Sequence, residues 1–185
     1  MKSYLLISLV AIVAALSTPL RAALPPIVGE RAPSFSLNTL DGKSIELQQI
    51  LKHQPVLLVV LRGWPGYQCP LCTKQVREFA AKAADFTAHG AQVLMVYPGP
   101  AGALRAHAQE FLQDKEWPKE FLFVIDPDYA FTNLYGLRWD AKNETAFPST
   151  FVIGRSGTIH FANVSRRHGG RVSAEAALEA LRAVK

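Results

Sequence analysis

The spacing of apolar and polar positions divides the chain into short segments, and the period of each segment predicts its element. VLLVVLR at 56–62 is an unbroken apolar, β-branched run bounded by Pro55 and Gly63, the pattern of a strand buried on both faces. AQVLMVY at 91–97 repeats that pattern, and FLFVID at 121–126 supplies a third strand. FSLNTLDGKSIEL alternates around Asp41-Gly42, a strong hairpin-turn dipeptide, and STFVIG and TIHFANV flank Arg155-Ser156-Gly157 as a second hairpin. In TKQVREFAAKAADFTAHG, Val76, Phe79, Ala80, Ala83 and Phe86 recur at spacings of three and four before Gly90, which predicts one amphipathic helix over 73–90. ALRAHAQEFLQDK and SAEAALEALRAV read as further helices, the second with Ser173 as its N-cap. ELQQILKH and DPDYAFTNLYG add short helical turns stopped at Gln54-Pro55 and Gly136.

Buried strands alternating with helices, then a terminal hairpin and helix, imply an α/β domain of three layers around a mixed sheet. LPPIVGERAPS at 24–34 is an extended entry, and no linker or repeat divides residues 23–185. Residues 1–22 differ: Lys2 precedes an apolar stretch from Leu5 to Leu16, then Pro and small residues, the order of a secretory signal. Cleavage after Ser17 or Ala22 fits that order, and export to a periplasmic or extracellular space is the expectation. A membrane association follows only if the segment is left uncleaved as an anchor.

Composition alters this picture little. The 185 residues are 49% hydrophobic and 19% charged, as for a globular domain with an apolar core. The formal charge of +5 falls to +3 once Lys2 and Arg21 are removed. The one dense basic cluster is SRRHGGR at 165–171, with no aromatic-interleaved stripe, so nucleic-acid binding is excluded as an expectation. The sequons at Asn143 and Asn163 carry no weight.

The chemistry concentrates in RGWPGYQCPLCT at 62–73, which holds both cysteines, Cys69 and Cys72. The pair stands between a buried strand and a helix, where unpaired N–H groups and the positive end of the dipole favour a thiolate. Two sulfurs at that spacing are within disulfide reach, so one can attack a partner and the other resolve it. A structural staple removes little chain entropy over so short a loop. A zinc site lacks further Cys or paired His ligands, while copper held by both thiolates with His160 or His168 stays open.

At this point the sequence resembles the AhpC/TSA group of the thioredoxin superfamily, the peroxiredoxin-like proteins. The likeness lies in VGERAPSFSLNTLDGK, in VLLVVLRGW leading into CPLC, in DPDYAFTNLYGL and in FPSTFVIGRSGTI. It implies a thioredoxin fold with an N-terminal β extension and no organic cofactor or metal. The peroxidase loop P-x-x-x-T/S-x-x-C is matched by Pro65 and Cys72, while Cys69 replaces the hydroxyl residue. The arginine that such peroxidases carry before the strand of TFVIG is replaced by Pro148, the position at which thioredoxin-like reductases hold a cis-proline.

Both departures point to thiol–disulfide exchange as the leading expectation, with Cys69 attacking a protein or small-molecule disulfide, Cys72 resolving, and Pro148 shaping the docking. The alternative is a thiol peroxidase in which Cys72 attacks a hydroperoxide and Cys69 resolves. A non-enzymatic copper-handling protein is the third reading. Each redox reading requires a thiol electron donor. Trp64 and Tyr67 are candidates for the apolar surface around the sulfurs. Arg62 is expected to be solvated at a strand end, Arg155 to be a turn residue, and Arg166, His168 and Arg171 to form a solvated basic loop. No Asp or Glu lies between Val56 and Cys69, so the buried acid of thioredoxins is missing.

Overall fold

The computed structural model describes residues 23–184, so the signal-like segment and its cleavage positions lie outside the described residues. Three parallel strands form the centre: β3 (Val56–Val60), β4 (Gln92–Gly99) and β5 (Leu122–Pro127). β6 (Ser149–Ile153) runs antiparallel to β3, and β7 (Ile159–Val164) antiparallel to β6. On the other flank β1 (Ser36–Thr39) pairs antiparallel with β5, and β2 (Ser44–Glu46) closes the edge. The sheet order is β2-β1-β5-β4-β3-β6-β7. The early hairpin is the expected β extension, and the later one supplies β6 and β7.

The period of two along β3 explains the layers. Val56, Leu58 and Val60 pack on one face with Leu47, Leu51, Phe131 and Tyr135, from α1 (Leu47–Leu51) and around α5 (Ala130–Leu134). Leu57, Val59 and Leu61 pack on the other face with Val76, Phe79, Phe111 and Leu178. These come from α2 (Pro70–Ala80), α4 (Ala101–Gln113) and α6 (Ala174–Arg182). All five β3 residues are fully buried. At about 2 kcal/mol for each apolar side chain, the strand contributes on the order of 10 kcal/mol against chain entropy. Ser173 caps α6 as expected, its Oγ accepting the Ala176 N–H at 3.2 Å.

The helix predicted over 73–90 differs in two respects. It starts earlier, with Pro70 in the first turn, where a missing N–H costs nothing. It also breaks: Lys82 leaves helical geometry at φ −111°, ψ 16°, after its N–H closes onto the Phe79 carbonyl, and α3 (Ala83–Ala88) follows. Beyond the break Phe86 stacks on Phe79, centroids 5.3 Å apart, and meets Phe121 edge-on. Spacing alone cannot register this break, because Ala80 and Ala83 keep the apolar period while contributing little area to hold one straight axis.

Candidate active site

The chain leaves β3 at its C-terminal end with Leu61 N–H still bonded to Val96 O, and Trp64 N–H reaches Pro98 O at 3.0 Å. Between them Gly63 adopts φ +69° against the end of β4, and a Cβ there would overlap the Pro98 carbonyl. Only glycine fits this close approach. The loop then delivers Cys69, in extended geometry, as the N-cap of α2, which makes Cys72 the third residue of the helix. Both cysteines are free and buried, Cys72 completely.

Each sulfur is surrounded by donors. The Cys72 thiol and backbone N–H both draw the Cys69 thiol pKa down, although the Cys69 side chain closes no capping hydrogen bond at the start of α2. Cys72 Sγ accepts the Arg62 backbone N–H at 3.3 Å. Across both lies Arg171: its Nη2 stands 3.4 Å from Cys72 Sγ and 3.7 Å from Cys69 Sγ. Nη1 donates to Gln75 Oε1 at 3.1 Å, and Gln75 Nε2 donates to Val172 O at 3.2 Å, which ties α2 to the segment bearing the arginine.

The pair therefore carries one negative charge in unequal shares. The hydrogen bond from Cys72 is the main cause that draws the Cys69 thiol down to about 5, opposed by burial and assisted by Arg171 and Arg62. Burial pushes the Cys72 thiol up. These shifts favour Cys69 as the thiolate and keep Cys72 as the thiol, an arrangement able to pair an attacking sulfur with a resolving one.

The other sequence candidates are placed as follows. Trp64 is half-buried and stacks on His107, centroids 3.6 Å apart, so it forms a wall of the loop. Tyr67 is exposed at the rim, its hydroxyl bonded to Arg62 Nη1. Pro148 is buried at the entry to β6, its carbonyl accepting Ser165 N–H at 2.9 Å. No cis peptide occurs among the described residues, so the cis-proline expectation is corrected: Pro148 is trans. Arg155 donates to Lys52 O beside the β6–β7 turn, and Arg166 lies over Phe147.

Two further expectations are overturned. Arg62 is buried, not solvated, because Glu144 meets its Nε at 2.7 Å and Asn143 O meets its Nη2 at 2.7 Å. Arg171 is not a solvated loop cation, because the buried sulfurs and Gln75 accept its N–H groups. The copper reading finds no gathered ligands. Among the described residues no three His, Cys, Asp or Glu side chains form a metal site, and His168 turns to Glu144 Oε1 at 2.8 Å.

Sequence reasoning missed Gln75, Glu144, Gln68 and Tyr97. Gln75 had a signal: three residues after Cys72, it is a polar residue on the buried stripe of α2. Tyr97, fully buried on β4, donates to Gln68 Oε1 at 3.0 Å, and Gln68 Nε2 donates to His107 O, which braces the cysteine loop against α4. Burial raises the Tyr97 hydroxyl pKa. Glu144 has no local signature, since its partners Arg62 and His168 lie far away in the chain.

A buried dithiol at the strand-to-helix junction of a mixed sheet, under a guanidinium, defines a thiol-based oxidoreductase. Residues 28–162 match the model of the AhpC/TSA family, and the chain belongs to that family. Chloroplastic peroxiredoxin Q of Oryza sativa subsp. japonica is 28% identical over 156 residues, covering 78% of this chain and 67% of that protein. The crystal structure of peroxidoxin BcpB from Mycobacterium tuberculosis superposes with a TM-score of 0.64 at 22% identity, over 85% of this chain and 97% of the other. Reduced Prx3 from Vibrio vulnificus, solved with hydrogen peroxide, gives a TM-score of 0.68 at 22% identity, over 84% and 99%. These structures share the fold.

Proposed function

We propose that this chain is a thiol peroxidase that reduces hydroperoxides with the Cys69–Cys72 pair. The observation that carries the reading is the contact of one guanidinium, Arg171, with both free sulfurs at a buried helix N-terminus. The peroxiredoxin names among its relatives favour this reading over disulfide exchange. The Cys69 thiolate attacks the terminal oxygen of ROOH; the S–O bond forms as O–O breaks, and the alkoxide takes a proton to leave as ROH. Cys72 then loses its proton and attacks the Cys69 sulfenic acid, forming the disulfide and expelling water. The net change is dithiol plus ROOH to disulfide, ROH and water. A dithiol donor returns two electrons to reopen the cycle.

The loop register assigns the first strike to Cys72 instead, and the Arg62 N–H and Arg171 contacts of that sulfur favour it. Rapid mixing of the reduced protein and its Cys→Ser variants with hydrogen peroxide separates the two orders. Fast, persistent sulfenate on Cys69 in Cys72→Ser, with slow reaction of Cys69→Ser, is the expected result. Fast sulfenate on Cys72 in Cys69→Ser reverses the order. If the wild type reacts no faster than free cysteine, while insulin disulfide reduction depends on Cys69, exchange with protein disulfides replaces the peroxidase reading.

We further infer that the protein acts after export. The support is the order of Lys2, Leu5–Leu16 and small residues before position 23. Among the described residues no helix is long and apolar enough to cross a membrane. A mature N-terminus after residue 17 or 22, read by mass spectrometry of the native protein, is the expected result.

A further inference from the structure

Arg171 holds more donors than it uses. Nη1 is occupied by Gln75 and Nη2 faces the sulfurs, but Nε is buried with no hydrogen-bond partner. In the planar guanidinium the Nε–H and one Nη2–H lie along the same edge, the fork that grips two acceptors side by side. The Nε side of the guanidinium therefore carries an unfilled donor beside Nη2, the nitrogen that meets the sulfurs. A buried charged group with an idle N–H is costly unless an acceptor visits it. The nearest opening is a cavity of about 270 Å³ that Arg171 lines together with Leu71, Gln75, Gly170, Val172 and Ser173.

From this edge we propose that Arg171 is a catalytic residue that grips sulfur and substrate oxygen at once: Nη2 holds the attacking sulfur, and Nε–H takes a hydroperoxide oxygen entering from the cavity. The proposal rests on the peroxidase reading. The bond made is S–O and the bond broken is O–O, and the negative charge moves from sulfur onto the leaving oxygen, along one edge of the guanidinium. That charge needs a donor already in place, and Nε–H supplies it without reorganisation. The arginine position of the peroxidase pattern is Pro148 here, and Arg171 comes from beyond the matched segment 28–162. Pro148 removes one guanidinium and the loop before α6 brings another.

The test compares wild type, Arg171→Lys and Arg171→Gln in two assays: the second-order rate with cumene hydroperoxide, and the pH midpoint of Cys69 alkylation by iodoacetamide. Circular dichroism checks that each variant is folded. Removing one oxyanion donor costs about 100- to 1,000-fold in rate, and Arg171→Gln is expected to lose that much while its alkylation midpoint rises. Arg171→Lys retains a cation but lacks the fork. Its midpoint is expected to stay near the wild-type value while its peroxide rate falls at least ~10-fold, a split that mere thiolate stabilisation does not produce. Equal peroxide rates in all three proteins overturn the proposal and leave the peroxidase reading standing. Loss of rate in Arg171→Lys only in proportion to its thiolate fraction also overturns it, reducing Arg171 to a positioning charge. A wild type that does not consume the hydroperoxide, with alkylation intact, overturns the peroxidase reading itself.

Discussion

Removing Glu144 tests whether the cation beneath the active-site loop is held by its partner. Arg62 is 2% exposed, and the Glu144 carboxylate meets it at 2.7 Å with its own side chain 10% exposed. Glu144→Ala leaves the guanidinium buried with only neutral acceptors, Asn143 O at 2.7 Å and the Tyr67 hydroxyl. Breaking a buried pair costs about 3–5 kcal/mol, and the surviving acceptors place this case near the lower end, about 3 kcal/mol. For a chain of this size that is a fall of roughly 6–12 °C in Tm. Urea titration of the reduced protein, followed by circular dichroism, measures it. Arg62→Met combined with Glu144→Leu removes both charges and is expected to recover most of the loss. The pH dependence gives a second handle. Burial works against the Glu144 charge, but hydrogen bonds from Arg62 and His168 hold its carboxyl below the ordinary carboxylate value. A depressed carboxyl stabilises the fold fully above its unfolded pKa of about 4.3, and that share is lost as pH falls through the folded value. The stability gap between wild type and Glu144→Gln therefore closes in acid. A Glu144→Ala protein within ~0.5 kcal/mol of wild type, or a gap that widens as pH falls, refutes the reasoning.

Other sites give sharp outcomes. Alkylation of the reduced protein is expected to titrate with a midpoint at about 5 on Cys69, and Cys72→Ala, which removes the thiol donor, moves that midpoint upward. Gly63→Ala forces a Cβ into the Pro98 carbonyl at φ +69° and is expected to cost more than ~2 kcal/mol in denaturant melts while slowing the thiol chemistry. Ser173→Ala removes the cap of α6 and costs about 1 kcal/mol by the same measurement.

The strands and the thiol pair were legible because their signals are local. VLLVVLR announced a doubly buried strand, Asp41-Gly42 a hairpin, and Ser173 a cap, each decided by neighbours within a few positions. The charged residues were not legible. Arg62 and a solvated strand-end arginine have the same sequence surroundings, and what buries Arg62 is Glu144, 82 positions away. Arg171 sits in a run of basic residues that looks like a soluble loop, and its role depends on sulfurs 99 and 102 positions earlier. Pro148 looked like the cis-proline of a reductase, but residue type does not fix the isomer, and the bond is trans. The peroxidase reading was present in the loop register as an alternative, and the family match moved the weight toward it.

The separation between the sulfurs and Arg171 has a consequence in time. A ribosome makes Cys69 and Cys72 first, and the guanidinium follows only 99 to 102 residues later. Until then the nascent polypeptide carries two thiols without that cation, and α6, which anchors the arginine's segment to the sheet, has not been synthesised. Chemical arming of the thiols thus waits for synthesis of the segment that leads into α6. A chain truncated after β7 could retain the whole sheet and both cysteines, yet emerge as a blunt reagent.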